Sequence, residues 1–137
     1  MAIVNLKLKE ELKHISKPEE LKHISEMLEN IDSLMQNIAY GLIIGDQNTV
    51  GTLTKEALDK GYEAQTVLDD GLIAGMAVVG IKFRDNIIFV PEVLIAARAM
   101  KAGMTHIDPI LSASDIPPLG IVIMGTVKGD LHDIGKN

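Results

Sequence analysis

The closing stretch GDLHDIGKN places Asp130, His132 and Asp133 in one glycine-bracketed loop, directly after the apolar run Ile121–Met124. A strand, a glycine loop and a Gly-Lys pair is how a phosphate-binding loop begins. Counting removes that reading. The phosphate motif needs a glycine, four residues, then Gly-Lys-Ser/Thr. Here five residues separate Gly129 from Gly135, and Asn137 stands where the magnesium-binding hydroxyl is required. Asp130 and Asp133 also put negative charge where phosphates would sit.

Metal chemistry suits the same residues better. A ligating imidazole usually donates its second ring N–H to a carboxylate or carbonyl, which fixes the tautomer. Asp130, two residues before His132, is spaced for that role. Gly135 lets a bulky ligand approach the backbone. One histidine with one aspartate is nevertheless a poor zinc site, which takes three or four protein ligands. The loop fits a metal that brings most of its own coordination sphere, as a tetrapyrrole-bound metal does. On the residues alone, a plain loop or helix-cap histidine stays open. A hydrolase centre built on His132–Asp133 lacks the further helix-borne histidines it needs. His14 and His23 belong to two LKHIS copies in a lysine- and glutamate-rich segment and read as solvated.

The loop needs elements to hold it, and the sequence before it is mostly helical in pattern. Residues 1–30 read as an N-terminal helical extension, with Leu6, Leu8, Leu12 and Ile15 near helical spacing and Pro18 in the first turn of a second helix. Ile31, Leu34, Met35, Ile38 and Leu42 follow a 3.6-residue period. That helix is expected to end near Gly45, with Asp46 capping a next helix that ends at Gly61. A third helix runs through YEAQTVLDDGLIAGMAVVGIKF. Its Gly71, Ala74, Gly75, Ala77 and Gly80 predict close helix approach, since glycine otherwise weakens a helix by about 1 kcal/mol. DNIIFV is a short connector, and a fourth helix starts at Pro91. Short connections between amphipathic helices predict an antiparallel bundle over residues 31–113. THIDPILSASDIPPLG reads as a linker with its boundary at 114–120. Residues 121–137 then begin something else. GIVIMG has the β-branched character of a buried parallel strand, yet one strand makes no sheet. The fold class is therefore mainly α, a helical bundle followed by the first strand and His loop of an incomplete Rossmann-like α/β domain.

Composition closes off other functions. The chain is 47% hydrophobic and 23% charged, which suits a globular core. A net charge of -6 and 3% aromatics argue against a nucleic-acid or anionic-membrane binder. Without cysteine there is no disulfide and no thiolate site. The longest apolar stretch, Leu72–Ile81, is well short of the ~20 residues a membrane helix needs. With no signal-peptide pattern at the start, a cytoplasmic location is expected.

Asp130, His132 and Gly135 match the Asp-x-His-x-x-Gly signature of cobalamin-binding domains. The segment DDGLIAGMAVVGIKFRDNIIFVPEVLIAARAMKAGM resembles the helical cap that precedes that signature in corrinoid proteins of methyltransferase systems. The resemblance covers roughly residues 31–137. It implies a cobalamin or related corrinoid cofactor, with His132 as lower ligand of cobalt and Asp130 hydrogen-bonded to that histidine. Phe83, and Val90 at a position usually leucine, would cover the face that carries the methyl group; core packing is the alternative for Phe83. The implied role is a non-catalytic carrier that accepts a methyl group from a substrate-specific methyltransferase and passes it to a second corrinoid-dependent methyltransferase. Members of this family continue beyond the signature with Ser/Thr and Gly-Gly segments that hold the cofactor's nucleotide tail. This chain reads as a fragment without them, so weak or no cofactor binding is expected of it. The other reading, from the residues alone, is a helical interaction module, in which the unpaired GIVIM strand drives homodimerisation.

Overall fold

The structure, a computed structural model, describes residues 3, 5–114, 120–132 and 136. All regular secondary structure among them is helical. The elements are α1 (Leu6–Leu12), α2 (Pro18–Glu29), α3 (Ser33–Ile43), α4 (Gln47–Asp59), α5 (Ala64–Thr66), a π-helical segment (Val67–Ile73), α6 (Ala74–Arg84) and α7 (Val90–Ala113). From α5 to α6 the backbone stays right-handed helical without a break, so these three stretches form one rod.

Local chemistry explains the boundaries. Asp32 accepts the amides of Leu34 (2.8 Å) and Met35 (3.2 Å) and so starts α3. Gly45, at φ +75°, turns the chain out of α3, a conformation that L side chains resist. Asp46 then caps α4 through the Thr49 amide (3.0 Å) and hydroxyl (2.7 Å). At the start of α7 the Glu92 carboxylate accepts the Phe89 amide at 3.0 Å.

α3 lies at the centre, packed against α1, α4, the π segment, α6 and α7, while α4 runs along α7. It buries Met35, Ile38, Ala39 and Leu42. A fully buried aliphatic side chain of this size contributes roughly 1.5–3 kcal/mol. Residues 1–30 join the same core through Leu8, Leu12, Ile15, Ile24 and Leu28. Gln36 ties them in. Its buried side-chain amide donates to the carbonyls of Leu28 (3.0 Å) and Ile31 (3.2 Å), and its oxygen accepts the Asn5 amide (3.2 Å). One of the last α2 carbonyls, which a helix end leaves without partners, is satisfied this way, that of Leu28.

Close helix approach holds for part of the small-residue stripe. A methyl on Gly75 would lie 3.0 Å from the Ala39 carbonyl oxygen of α3, and one on Gly71 3.0 Å from Ile38. Ala74 is buried, whereas Ala77 and Gly80 face outward and Gly80 has open space around it.

Two expectations are corrected. Thr105–Ala113 is not linker: α7 runs on to Ala113 with Pro109 inside it. Proline removes one backbone bond and crowds the preceding turn, but Ile107 is buried and Leu111 packs on the core, so burial outweighs that loss. GIVIMG is not a strand. Residues 120–127 have no regular structure, and Ile121–Met124 are exposed. Strand hydrogen bonds need a neighbouring strand, and none exists among the described residues. The short connector DNIIFV turns tightly, with Asn86 at φ +57°.

Candidate cofactor-binding site

The His132 loop is built by local hydrogen bonds. The Asp130 amide donates to the Val127 carbonyl at 3.1 Å, closing a turn whose third residue, Gly129, has φ +92°. Asp130 is thereby turned toward the residues that follow. Its Oδ1 accepts the His132 amide at 3.0 Å and contacts the His132 ring Nδ1 at 2.6 Å. These two bonds from His132, the backbone one foremost, hold the Asp130 carboxyl below the usual carboxylate range. An ionised carboxylate only accepts, so Nδ1 carries a proton. In the neutral ring the lone pair is then on Nε2, and the His132 side chain is 96% exposed. The loop thus presents one oriented nitrogen ligand to the outside. Asp133 and Gly135 lie outside the described residues.

The donor set tests which metal such a loop fits. Among the described residues, no group of three or more histidines, aspartates or glutamates is placed to hold a metal ion. A bare divalent ion finds one nitrogen here. A metal already held by a macrocycle needs only one such donor, and an exposed imidazole is chemically suited to that.

The other two sequence-derived residues occupy the opposite ends of the α6–α7 connector. Phe83 sits in the last turn of α6 and Val90 opens α7. Neither is core: Phe83 is 44% exposed and Val90 47%. Phe89 (61%) and Leu94 (37%) extend this run of exposed apolar side chains. Large apolar residues clustered on a surface mark a contact site more often than chance exposure. The sequence does not single out Phe89 and Leu94, because burial in a helical core would explain their apolarity equally well. No hydrogen bond or ion pair among the described residues joins this edge to the Asp130–His132 loop, and residues 120–132 are almost wholly exposed.

The described residues thus form an all-helical bundle with an exposed apolar edge, followed by a loop in which Asp130 orients His132. The profile of the family described as "B12 binding domain" matches residues 34–108, and the chain belongs to that family. Relatives include a corrinoid protein of Desulfitobacterium hafniense, 34% identical over 110 residues, covering 78% of this chain and 51% of that protein. Trimethylamine corrinoid protein 2 of Methanosarcina mazei is 40% identical over 94 residues, covering 67% and 43%. The dimethylamine corrinoid protein of Methanosarcina barkeri is 35% identical over 106 residues, covering 77% and 49%. The chain therefore spans about half the length of the curated relatives it matches. The fold resembles that in the crystal structure of the methanol:cobalamin methyltransferase complex MtaBC from Methanosarcina barkeri, with a TM-score of 0.56 and 23% identity over 83% of this chain and 46% of that one. No helix among the described residues is long and apolar enough to cross a membrane.

Proposed function

We propose that this chain belongs to a corrinoid methyl carrier, non-catalytic by itself, which receives a methyl group from one methyltransferase and yields it to another. The observation that carries the reading is the 2.6 Å contact between Asp130 Oδ1 and His132 Nδ1, which leaves Nε2 as an outward ligand. Names of the relatives support its corrinoid part, since they are a corrinoid, a trimethylamine corrinoid and a dimethylamine corrinoid protein.

In this reading His132 would hold the corrinoid's cobalt through Nε2, with Asp130 keeping the Nδ1 proton in place and the ring oriented. Phe83 and Val90 would shield the bound corrinoid from water. Gly135, lacking a side chain, would let the macrocycle approach the chain. The bound corrinoid supplies the chemistry of methyl transfer. The methyl donor is chosen by the partner methyltransferase that presents it.

Only one protein ligand and an exposed loop face the cofactor in the described residues, so weak binding by this chain is the expectation. Titration with hydroxocobalamin, followed by visible absorbance, tests the reading. A spectral change that saturates only above micromolar concentration and is lost in His132→Ala supports it. Identical titrations of the two proteins would refute it.

A second reading, self-association, is favoured by one observation: Ile121, Val122 and Ile123 are all more than four-fifths exposed in a β-prone run. Sedimentation velocity of the chain and of Ile121→Lys/Ile123→Lys separates the two. A concentration-dependent dimer abolished by the lysines supports self-association, and a monomer at all concentrations excludes it.

A further inference from the structure

The N-terminal helices are fastened to the residues on either side of Phe83. Lys82, 6% exposed, places its Nζ 2.5 Å from Glu11 Oε2 of α1. Arg84 pairs with Glu20 of α2 and, at 3.1 Å, with Asp85. Lys17, just before α2, bridges Asp85 (3.6 Å) and Glu20 (3.7 Å). Phe83 is therefore bracketed by two cations held from two different helices. Lys82 has a second connection: its backbone carbonyl accepts the amides of Ile87 (2.8 Å) and Ile88 (3.3 Å), closing the turn that delivers Phe89 and Val90. One residue thus links α1, by its side chain, to the turn that sets both ends of the exposed apolar edge.

We infer that Glu11 and Glu20 are positioning residues that fix the apolar edge Phe83–Val90 for its ligand; that the ligand is a corrinoid rests on the function proposed above. The chemistry is that of an enclosed ammonium. Without Glu11, the Lys82 charge is left nearly buried and unpaired, which is costly. The side chain must then reach for water, and the last turn of α6 moves with it, carrying Phe83 and the carbonyl that holds the turn. The family match begins at residue 34, so Glu11, Lys17 and Glu20 all lie outside it. The positioning comes from the part of this chain that the family pattern does not include.

The chain contains no tryptophan, so Phe83→Trp installs a single indole reporter on the edge itself. In that background, Glu11→Gln and Glu20→Gln are compared with the parent by fluorescence anisotropy and acrylamide quenching, at a temperature where far-UV circular dichroism shows intact helix. The expected result is lower anisotropy and a quenching constant raised roughly twofold, as a tethered turn becomes a locally opening one. Glu11→Asp, which keeps the charge, recovers most of the parental signal. Should Glu11→Gln not fold, Glu20→Gln carries the test, and salt repeats it on the Phe83→Trp protein: at 1 M, where screening acts within about 3 Å, the more exposed Arg84–Glu20 pair weakens and quenching rises. Unchanged anisotropy and quenching in the folded variants, or in high salt, would overturn the inference even if the melting temperature fell. No corrinoid is used, so failure here is distinct from failure of the carrier reading.

Discussion

Gly75 and Gly80 sit five residues apart near the middle and end of one helix, and substituting each by alanine separates packing from propensity. Both changes gain helix propensity, worth about 1 kcal/mol, together with a loss of unfolded-chain freedom. At Gly80 the new methyl meets nothing within 4 Å. At Gly75 it would lie 3.0 Å from the Ala39 carbonyl oxygen, 3.1 Å from Ala39 Cα and 3.2 Å from Leu42 Cβ. Two of those atoms are α3 backbone, so relief requires moving a helix, and overpacking of this kind costs about 1–3 kcal/mol. Gly80→Ala is thus expected to stabilise by about 0.5–1 kcal/mol, and Gly75→Ala to be destabilising by up to about 2 kcal/mol once propensity is offset. Urea unfolding followed at the far-UV helix signal measures both. The difference between the variants, about 1–3 kcal/mol, corresponds to several degrees in melting temperature for a domain of this size. If Gly75→Ala stabilised as much as Gly80→Ala, the α3–α6 approach would not be as close as described, and the reasoning would fail.

Other consequences concern buried polar groups and pH. Thr54 is fully buried and its hydroxyl has no hydrogen-bond partner among the described residues, so the near-isosteric Thr54→Val is expected to stabilise by about 1 kcal/mol in urea unfolding. Leu42→Ala empties a fully buried site of α3 and should cost about 2–5 kcal/mol in the same assay. Burial pushes the Asp32 carboxyl up, but bonds from the Tyr62 hydroxyl and from the Met35 and Leu34 amides outweigh it, leaving the group below its ordinary value. The contribution of Asp32 is therefore present above the unfolded-state pKa near 4 and lost as pH falls through the lower folded value. Asp32→Ala should cost about 1 kcal/mol at neutral pH, and the gap between variant and parent should close in acid, which melting curves at several pH values will show.

Much of the bundle was legible because its signals are local. The α3 period, the Gly45 stop and the Asp46 cap each depend on residues within one or two turns. Pro109 misled for the same reason: its local preference argues for a break, while the burial of Ile107 that keeps α7 intact is a tertiary fact. GIVIMG misled in the other direction, since strand propensity is realised only when a second strand supplies partners. Within the site, the Asp130–His132 spacing made a hydrogen bond readable from the sequence. The Lys82–Glu11 pair was not readable. It joins residues 71 positions apart, and nothing in the composition of α1 distinguishes Glu11 from its solvated neighbours.

The proposed carrier role rests above all on His132 offering Nε2 to a corrinoid as its ligand. Electron paramagnetic resonance of a Co(II) corrinoid lacking its own benzimidazole base, in the presence of saturating protein, reads the axial atom directly. Ligation by His132 predicts nitrogen superhyperfine triplets with unlabelled protein, doublets when histidine is nitrogen-15 labelled, and no nitrogen splitting with His132→Ala. Triplets that persist in the labelled protein, or splitting that survives His132→Ala, would contradict it.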